Sequence, residues 1–110
     1  MIFDRDGNTT IILQEKASLA TFLKNLKQAY PKLKNDHLIL NLFSFGNLKT
    51  SDLLEFMELS NTHRGSGKSF VLVSSSVAPD DIPEEISMAP TLQEARDIIE
   101  MEEIERDLDL

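Results

Sequence analysis

The chain contains no cysteine, and bases are scarce: 11 Lys and Arg stand against 19 Asp and Glu, for a net charge of −8 over 110 residues. Without thiols there are no disulfides, no thiolate nucleophiles and few routes to a structural zinc site. A cytoplasmic location is the expectation that follows. No apolar run approaches the ~20 residues that cross a bilayer, so no membrane partner is expected. The opening Met1-Ile2-Phe3-Asp4-Arg5-Asp6 has neither the basic start nor the apolar core of a signal peptide. The shortage of bases argues against nucleic acid, whose phosphates an acidic surface repels. Lys24, Lys27, Lys32 and Lys34 cluster locally, but lysines so spaced read as the solvated face of a helix. Aromatics are limited to six Phe and one Tyr, so the core must be mainly Leu, Ile and Val.

Hydropathy patterning and turn signals organise what remains. Ile2–Asp4 and Thr9–Leu13 are β-prone runs joined through Asp6-Gly7, a strong hairpin signal because Gly tolerates positive φ. Leu19, Phe22, Leu23, Leu26 and Tyr30 recur at helical spacing, with Ser18 as N-cap and Pro31 as the expected end. Leu38–Phe43 is nearly continuous in apolar residues, as in a strand covered on both faces. Thr50, Ser51 and Asp52 open a second helix with Leu53, Phe56, Met57 and Ser60 inward, expected to end near His63-Arg64-Gly65. Phe70–Val73 reads as a second buried strand, residues 76–85 as a loop with at most one helical turn, and 86–89 as a last short strand. Thr91 to Glu94 forms a capping box before a long helix with Leu92, Ala95, Ile98 and Ile99 inward. Strands alternating with helices predict a single α/β domain. Its mixed, mostly parallel sheet would have four or five strands, an N-terminal hairpin and three or four helices.

Few motifs could carry chemistry. Gly65-Ser66-Gly67-Lys68-Ser69 looks like part of a phosphate-binding loop, but the motif needs a further Gly where Thr62 stands, and here a helix precedes and a strand follows. His37 and His63 are too few and too scattered for a metal site; the first is expected to start a strand and the second to cap a helix. No serine lies in a Gly-x-Ser-x-Gly elbow. The pairs Asp80-Asp81 and Glu84-Glu85 sit in a polar loop, without the apolar burial that raises a catalytic carboxyl's pKa. Neither an enzyme activity nor a cofactor is expected. One constellation stands out. Thr50 and Ser51 follow the central strand at the start of a helix, where parallel sheets place ligands and where a bound or covalent phosphate is favoured. Simple N-capping is the plainer role for the same hydroxyls.

The order of elements resembles that of STAS domains, whose best-known soluble members are bacterial anti-anti-sigma factors. The likeness is carried by Leu38–Leu42, by Leu48-Lys49-Thr50-Ser51-Asp52-Leu53-Leu54, by Lys68–Val73, and by Ala89-Pro90-Thr91-Leu92-Gln93-Glu94-Ala95. It covers most of residues 1–100. The resemblance implies a non-catalytic regulatory module that binds a protein, such as an anti-sigma or serine-kinase-like partner, through Leu48, Lys49, Thr50, Ser51, Asp52 and Leu53. The family's second helix typically opens Asp-Ser-Ser-Gly, with a phosphorylated Ser. Thr50, or Ser51 if the alignment slips by one, matches that position, while Lys49 and Asp52 replace the Asp and the Gly.

The C-terminal stretch, residues 100–110, reads as an acidic helical extension of the domain. Met101, Ile104 and Leu108 share one side of it among Glu100, Glu102, Glu103, Glu105, Asp107 and Asp109. This stripe supports an alternative function, an accessory or structural subunit docking through its last helix on a partner or on a second copy in a homodimer. The ending Ile-Ile-Glu-Met-Glu-Glu-Ile-Glu-Arg-Asp also resembles small bacterial proteins sometimes labelled ribonuclease Z. That two-metal hydrolase requires a His-x-His-x-Asp-His cluster, which two lone histidines do not supply.

Overall fold

The hairpin forms where Asp6-Gly7 predicts it. Strands β1 (Ile2–Asp6) and β2 (Thr9–Leu13) pair antiparallel, with Gly7 at φ +62° in the turn. The computed structural model describes residues 1–15 and 17–108; Asp109 and Leu110, at the end of the expected extension, lie outside the described residues. Helix α1 (Leu19–Leu33) starts at Ser18, whose Oγ accepts from the Thr21 backbone N–H, and buries Phe22, Leu23, Leu26 and Leu33.

Contrary to expectation, Pro31 does not end α1. A proline deprives only the carbonyl four residues back of its donor, and here that residue is the exposed Lys27, whose carbonyl water can serve. The extra turn buries Leu33 and closes with the Lys34 N–H on the Tyr30 carbonyl at 3.0 Å.

Strand β3 (His37–Asn41) begins and ends earlier than its apolar run. Leu42 still donates to the Val73 carbonyl at 2.9 Å, but the Asn41 Oδ1 then accepts from the Phe43 N–H and bends the chain into a 3-10 turn, Phe43–Phe45. The single second helix expected from sequence is two, α2 (Thr50–Leu54) and α3 (Met57–Gly65). Between them Glu55 and Phe56 donate to Asp52 and Leu53, a tightened turn that drives Phe56 into the core, 6.3 Å from the Phe22 ring. Strand β4 (Phe70–Val73) is wholly buried, a 3-10 turn covers Pro79–Asp81, and β5 (Ser87–Ala89) leads into α4 (Leu92–Leu108). The Glu94 N–H donates to Thr91 Oγ1 at 3.1 Å, the N-cap half of the expected capping box.

The five strands lie in the order β1-β2-β3-β4-β5, parallel from β2 onward. Alternation along them builds two apolar layers. Ile12, Leu38, Leu40, Phe70 and Leu72 pack with Phe22, Leu26, Leu53 and Phe56 of α1–α3, whereas Ile11, Ile39, Val71 and Val73 pack with Ala95 and Ile99 of α4. The mostly parallel α/β sheet with its opening hairpin is therefore the architecture anticipated, with five strands and four α-helices among the described residues. Because Phe56 is fully buried at the break between α2 and α3, Phe56→Ala should destabilise the protein by about 3–5 kcal/mol in urea unfolding. A loss below about 1 kcal/mol would show that the break packs without it.

Candidate functional site

The C-terminal ends of β3, β4 and β5 carry the segment that sequence marks for binding. Hydroxyl groups hold it together. The Ser74 N–H donates to the Ala89 carbonyl, the Ser74 and Ser76 hydroxyls lie 3.0 Å apart, and the Leu48 N–H donates to Ser76 Oγ at 3.2 Å. Thr50 Oγ1 donates to the Asp81 carbonyl at 2.8 Å, fastening the first residue of α2 to the Pro79–Asp81 turn. Neither Thr50 nor Ser51 is the N-cap. Lys49 holds that position, and the Asp52 carboxylate accepts from its backbone N–H at 2.9 Å. The hydroxyls that could have capped are thus left to other uses.

The six residues expected at a binding surface divide. Leu48 and Leu53 are core residues that hold the segment from beneath, Asp52 is half-buried, and Lys49, Thr50 and Ser51 are exposed. Phe43, expected to be covered as the last residue of the buried strand, instead opens the 3-10 turn and is 49% exposed, and Leu54 is 51% exposed at the same end of the domain. An open cavity of ≈250 Å³ lies beside the turn, between Val77, Ile82 and Met88.

At the opposite end of the sheet the two histidines form a buried network that their positions in sequence do not reveal. His63 does not cap α3 with its ring; it is fully buried. Its Nε2 lies 2.7 Å from the Asp36 carbonyl, which can only accept, so Nε2 carries the proton and Nδ1 accepts from the Tyr30 hydroxyl at 2.8 Å. His37 does start β3, also buried, and its Nδ1 accepts from the Ser69 N–H at 2.9 Å. That leaves its Nε2–H to donate to Glu103 Oε1 at 3.2 Å. The Asp36 carboxylate accepts from the buried Thr10 hydroxyl at 3.0 Å and from the exposed Arg5 guanidinium at 3.2 Å. Burial pushes both histidines below the usual histidine range, and Glu103 pulls His37 back only in part. Each ring accepts at Nδ1 and donates at Nε2, and so joins two other parts of the chain.

Among the described residues no three His, Asp or Glu side chains converge as a metal would require, and no helix is long and apolar enough to cross a membrane. The segment Gly65–Ser69 ends α3 and enters β4, with Gly67 at φ +86°, the inverse of the strand-to-helix context of a phosphate loop.

No family model matches the chain, and neither does any curated protein. Solved structures do. A serine-to-glutamate variant of RsbS from Moorella thermoacetica superposes with a TM-score of 0.64 at 14% identity, over 90% of this chain and 93% of that one. The protein TM1081, solved by NMR, gives 0.64 at 15% identity, over 89% and 86%. A chain of the stressosome, described as a signal integration and transduction hub, gives 0.59 at 14%, over 90% and 96%. The fold is thus the STAS fold that the order of elements suggests.

The histidine network sets a pH dependence. Groups whose folded pKa lies below the unfolded value contribute stability that is present above the unfolded pKa and lost as pH falls through the folded one. The urea midpoint should therefore fall as pH drops from about 7 to about 5.5, and His37→Gln should flatten that slope. Stability that rises on acidification through this window would show that the rings are charged in the folded protein.

Proposed function

We propose that the chain is a non-catalytic regulatory module of the cytoplasm. It binds an anti-sigma or serine-kinase-like protein through the exposed surface around Lys49, Thr50 and Ser51, and is switched by phosphorylation there. The carrying observation is the hydrogen bond from Thr50 Oγ1 to the Asp81 carbonyl, which joins the start of α2 to the adjacent turn. Phosphorylation removes the donor proton and puts about −1.5 to −2 charges where a carbonyl had been satisfied. The turn must then separate from α2, changing the shape and the charge of one surface together. Lys49 offers a cation beside the phosphate. The Asp52 carboxylate opposes it, although its Oδ2 is occupied by the Lys49 backbone N–H. The likeness to RsbS and to a stressosome chain supports a regulatory role for this fold.

A second reading, an accessory subunit that docks through the acidic end of α4, is favoured by the exposure of Met101, Ile104 and Leu108.

Intact-mass and peptide mapping of protein from its native host should find the phosphate on Thr50 or Ser51. Hydrogen exchange should show Thr50→Glu loosening residues 76–82, with Thr50→Ser behaving as the parent. In a pull-down from native cells, a partner retained by the parent chain should be weakened roughly tenfold by Thr50→Glu, about 1.4 kcal/mol. Absence of modification under both growth and stress, with equal partner recovery by Thr50→Glu, would reject the switch.

A further inference from the structure

The C-terminal half of α4 is turned inside out. Its first turns bury Ala95 and Ile99, as an amphipathic helix should. Beyond Ile99 the side facing the domain becomes polar. Glu103 accepts from the buried His37 Nε2, Arg106 Nη2 donates to Ser69 Oγ at 3.1 Å, and Glu102 lies 3.9 Å from Arg106. The apolar residues face the other way. Met101, Ile104 and Leu108 are 62%, 54% and 79% exposed. At about 100° per residue, Ile104 stands roughly 180° from Ala95 around the helix.

The polar contacts fix this orientation. Rotating the stripe inward would withdraw Glu103 and Arg106 and leave the buried His37 Nε2 and the Ser69 hydroxyl without these partners, at about 1–3 kcal/mol for each buried group left unpaired. The stripe therefore stays on the outer face of α4, open to a cover from outside its own domain.

Charge selects the cover. Asp97, Glu100 and Glu105 are exposed beside the stripe, and Arg106, the base of that stretch, is directed inward. A second copy would bring the acidic flanks of two identical stripes together, between chains of charge −8. A segment with an apolar face bordered by Lys or Arg meets both the stripe and its flanks. Building on the second reading above, docking through the end of α4, we infer that the outer face of α4 from Met101 to Leu108 is a docking site for such a basic, apolar-faced segment of another protein. This surface adjoins the strand starts at His37 and Ser69, whereas the Thr50 surface adjoins the strand ends, so the two sites are independent.

The test uses the full chain, isotopically labelled, and two synthetic helical peptides with leucines on one face, bordered by lysines in one and by glutamates in the other. The lysine peptide should shift resonances of the α4 outer face and bind at least tenfold more tightly than the glutamate peptide. Ile104→Gln, which leaves net charge unchanged, should weaken it about tenfold, while Leu54→Gln should have no effect. Equal binding of the two peptides, or binding indifferent to Ile104→Gln, would overturn the inference. So would concentration-dependent dimerisation that Ile104→Gln abolishes, which would assign the stripe to a second copy. Met101→Gln repeats the measurement at a second exposed position. Unfolding of both variants would place the stripe in the core and equally overturn it.

Discussion

Asp36 is the residue on which the arrangement of the layers depends. Its carboxylate accepts from Thr10 on β2 and from Arg5 on β1, and its carbonyl meets His63 on α3, which in turn receives the Tyr30 hydroxyl of α1. Four elements are thus referred to one short connection between α1 and β3. A buried polar group left unpaired costs about 1–3 kcal/mol, so none of these partners can move alone. The Arg5 contact is the weakest, because that guanidinium is mostly exposed and water competes for it. The Thr10 and His63 contacts lie out of water and carry the constraint. The adjacent His37, through Ser69 and Glu103, extends the same network across the sheet to β4 and α4.

The two ends of the sheet consequently differ in kind. At the strand starts, neutral rings and buried hydroxyls are paired in a connected set, in which each bond orients the next. At the strand ends, a part-buried set of hydroxyls links Ser74, Ser76 and Leu48, and the tie from Thr50 to Asp81 is a single solvent-exposed hydroxyl bond. A bond of that kind contributes roughly 0.5–1.5 kcal/mol and can be broken without disturbing the core. Changeable surface therefore belongs at the strand ends, and the position of α4 is set at the strand starts.

Much of this was legible in the sequence because its signals are local. Asp6-Gly7 marks the hairpin, Ser18 and Thr91 mark helix starts, and the apolar runs Leu38–Leu42 and Phe70–Val73 mark strands covered on both faces. The departures each needed a tertiary partner. Pro31 sits within α1 because burial of Leu33 supports one more turn, and the helix after Thr50 breaks because Phe56 is drawn toward Phe22. The histidine network escapes sequence reasoning altogether, since His37 and His63 are joined to Ser69, Asp36 and Tyr30 only by folding. At the candidate surface, Leu48 and Leu53 carried the resemblance as a motif, yet their apolar character had already suited them to the core. Phe43, inside a continuous apolar run, had no periodic signal to distinguish it from core, whereas helical spacing already left Leu54 off the inward face.

The same physics bears on whether the two surfaces communicate. Strands β3 and β4 run from one to the other, and their residues are buried on both faces of the sheet, apart from the partly buried Asn41 at the end of β3. Close-packed strands of this kind transmit position and do not supply a second arrangement for a ligand to select. Separation of the Pro79–Asp81 turn from α2 would end at Ser74, whose N–H remains bonded to the Ala89 carbonyl within the sheet. The helix α4, fixed at its far end by His37 and Ser69, would not register it. The fold thus holds the Thr50 surface and the outer face of α4 at a constant separation, so a rearrangement of the Pro79–Asp81 turn would leave α4 in place.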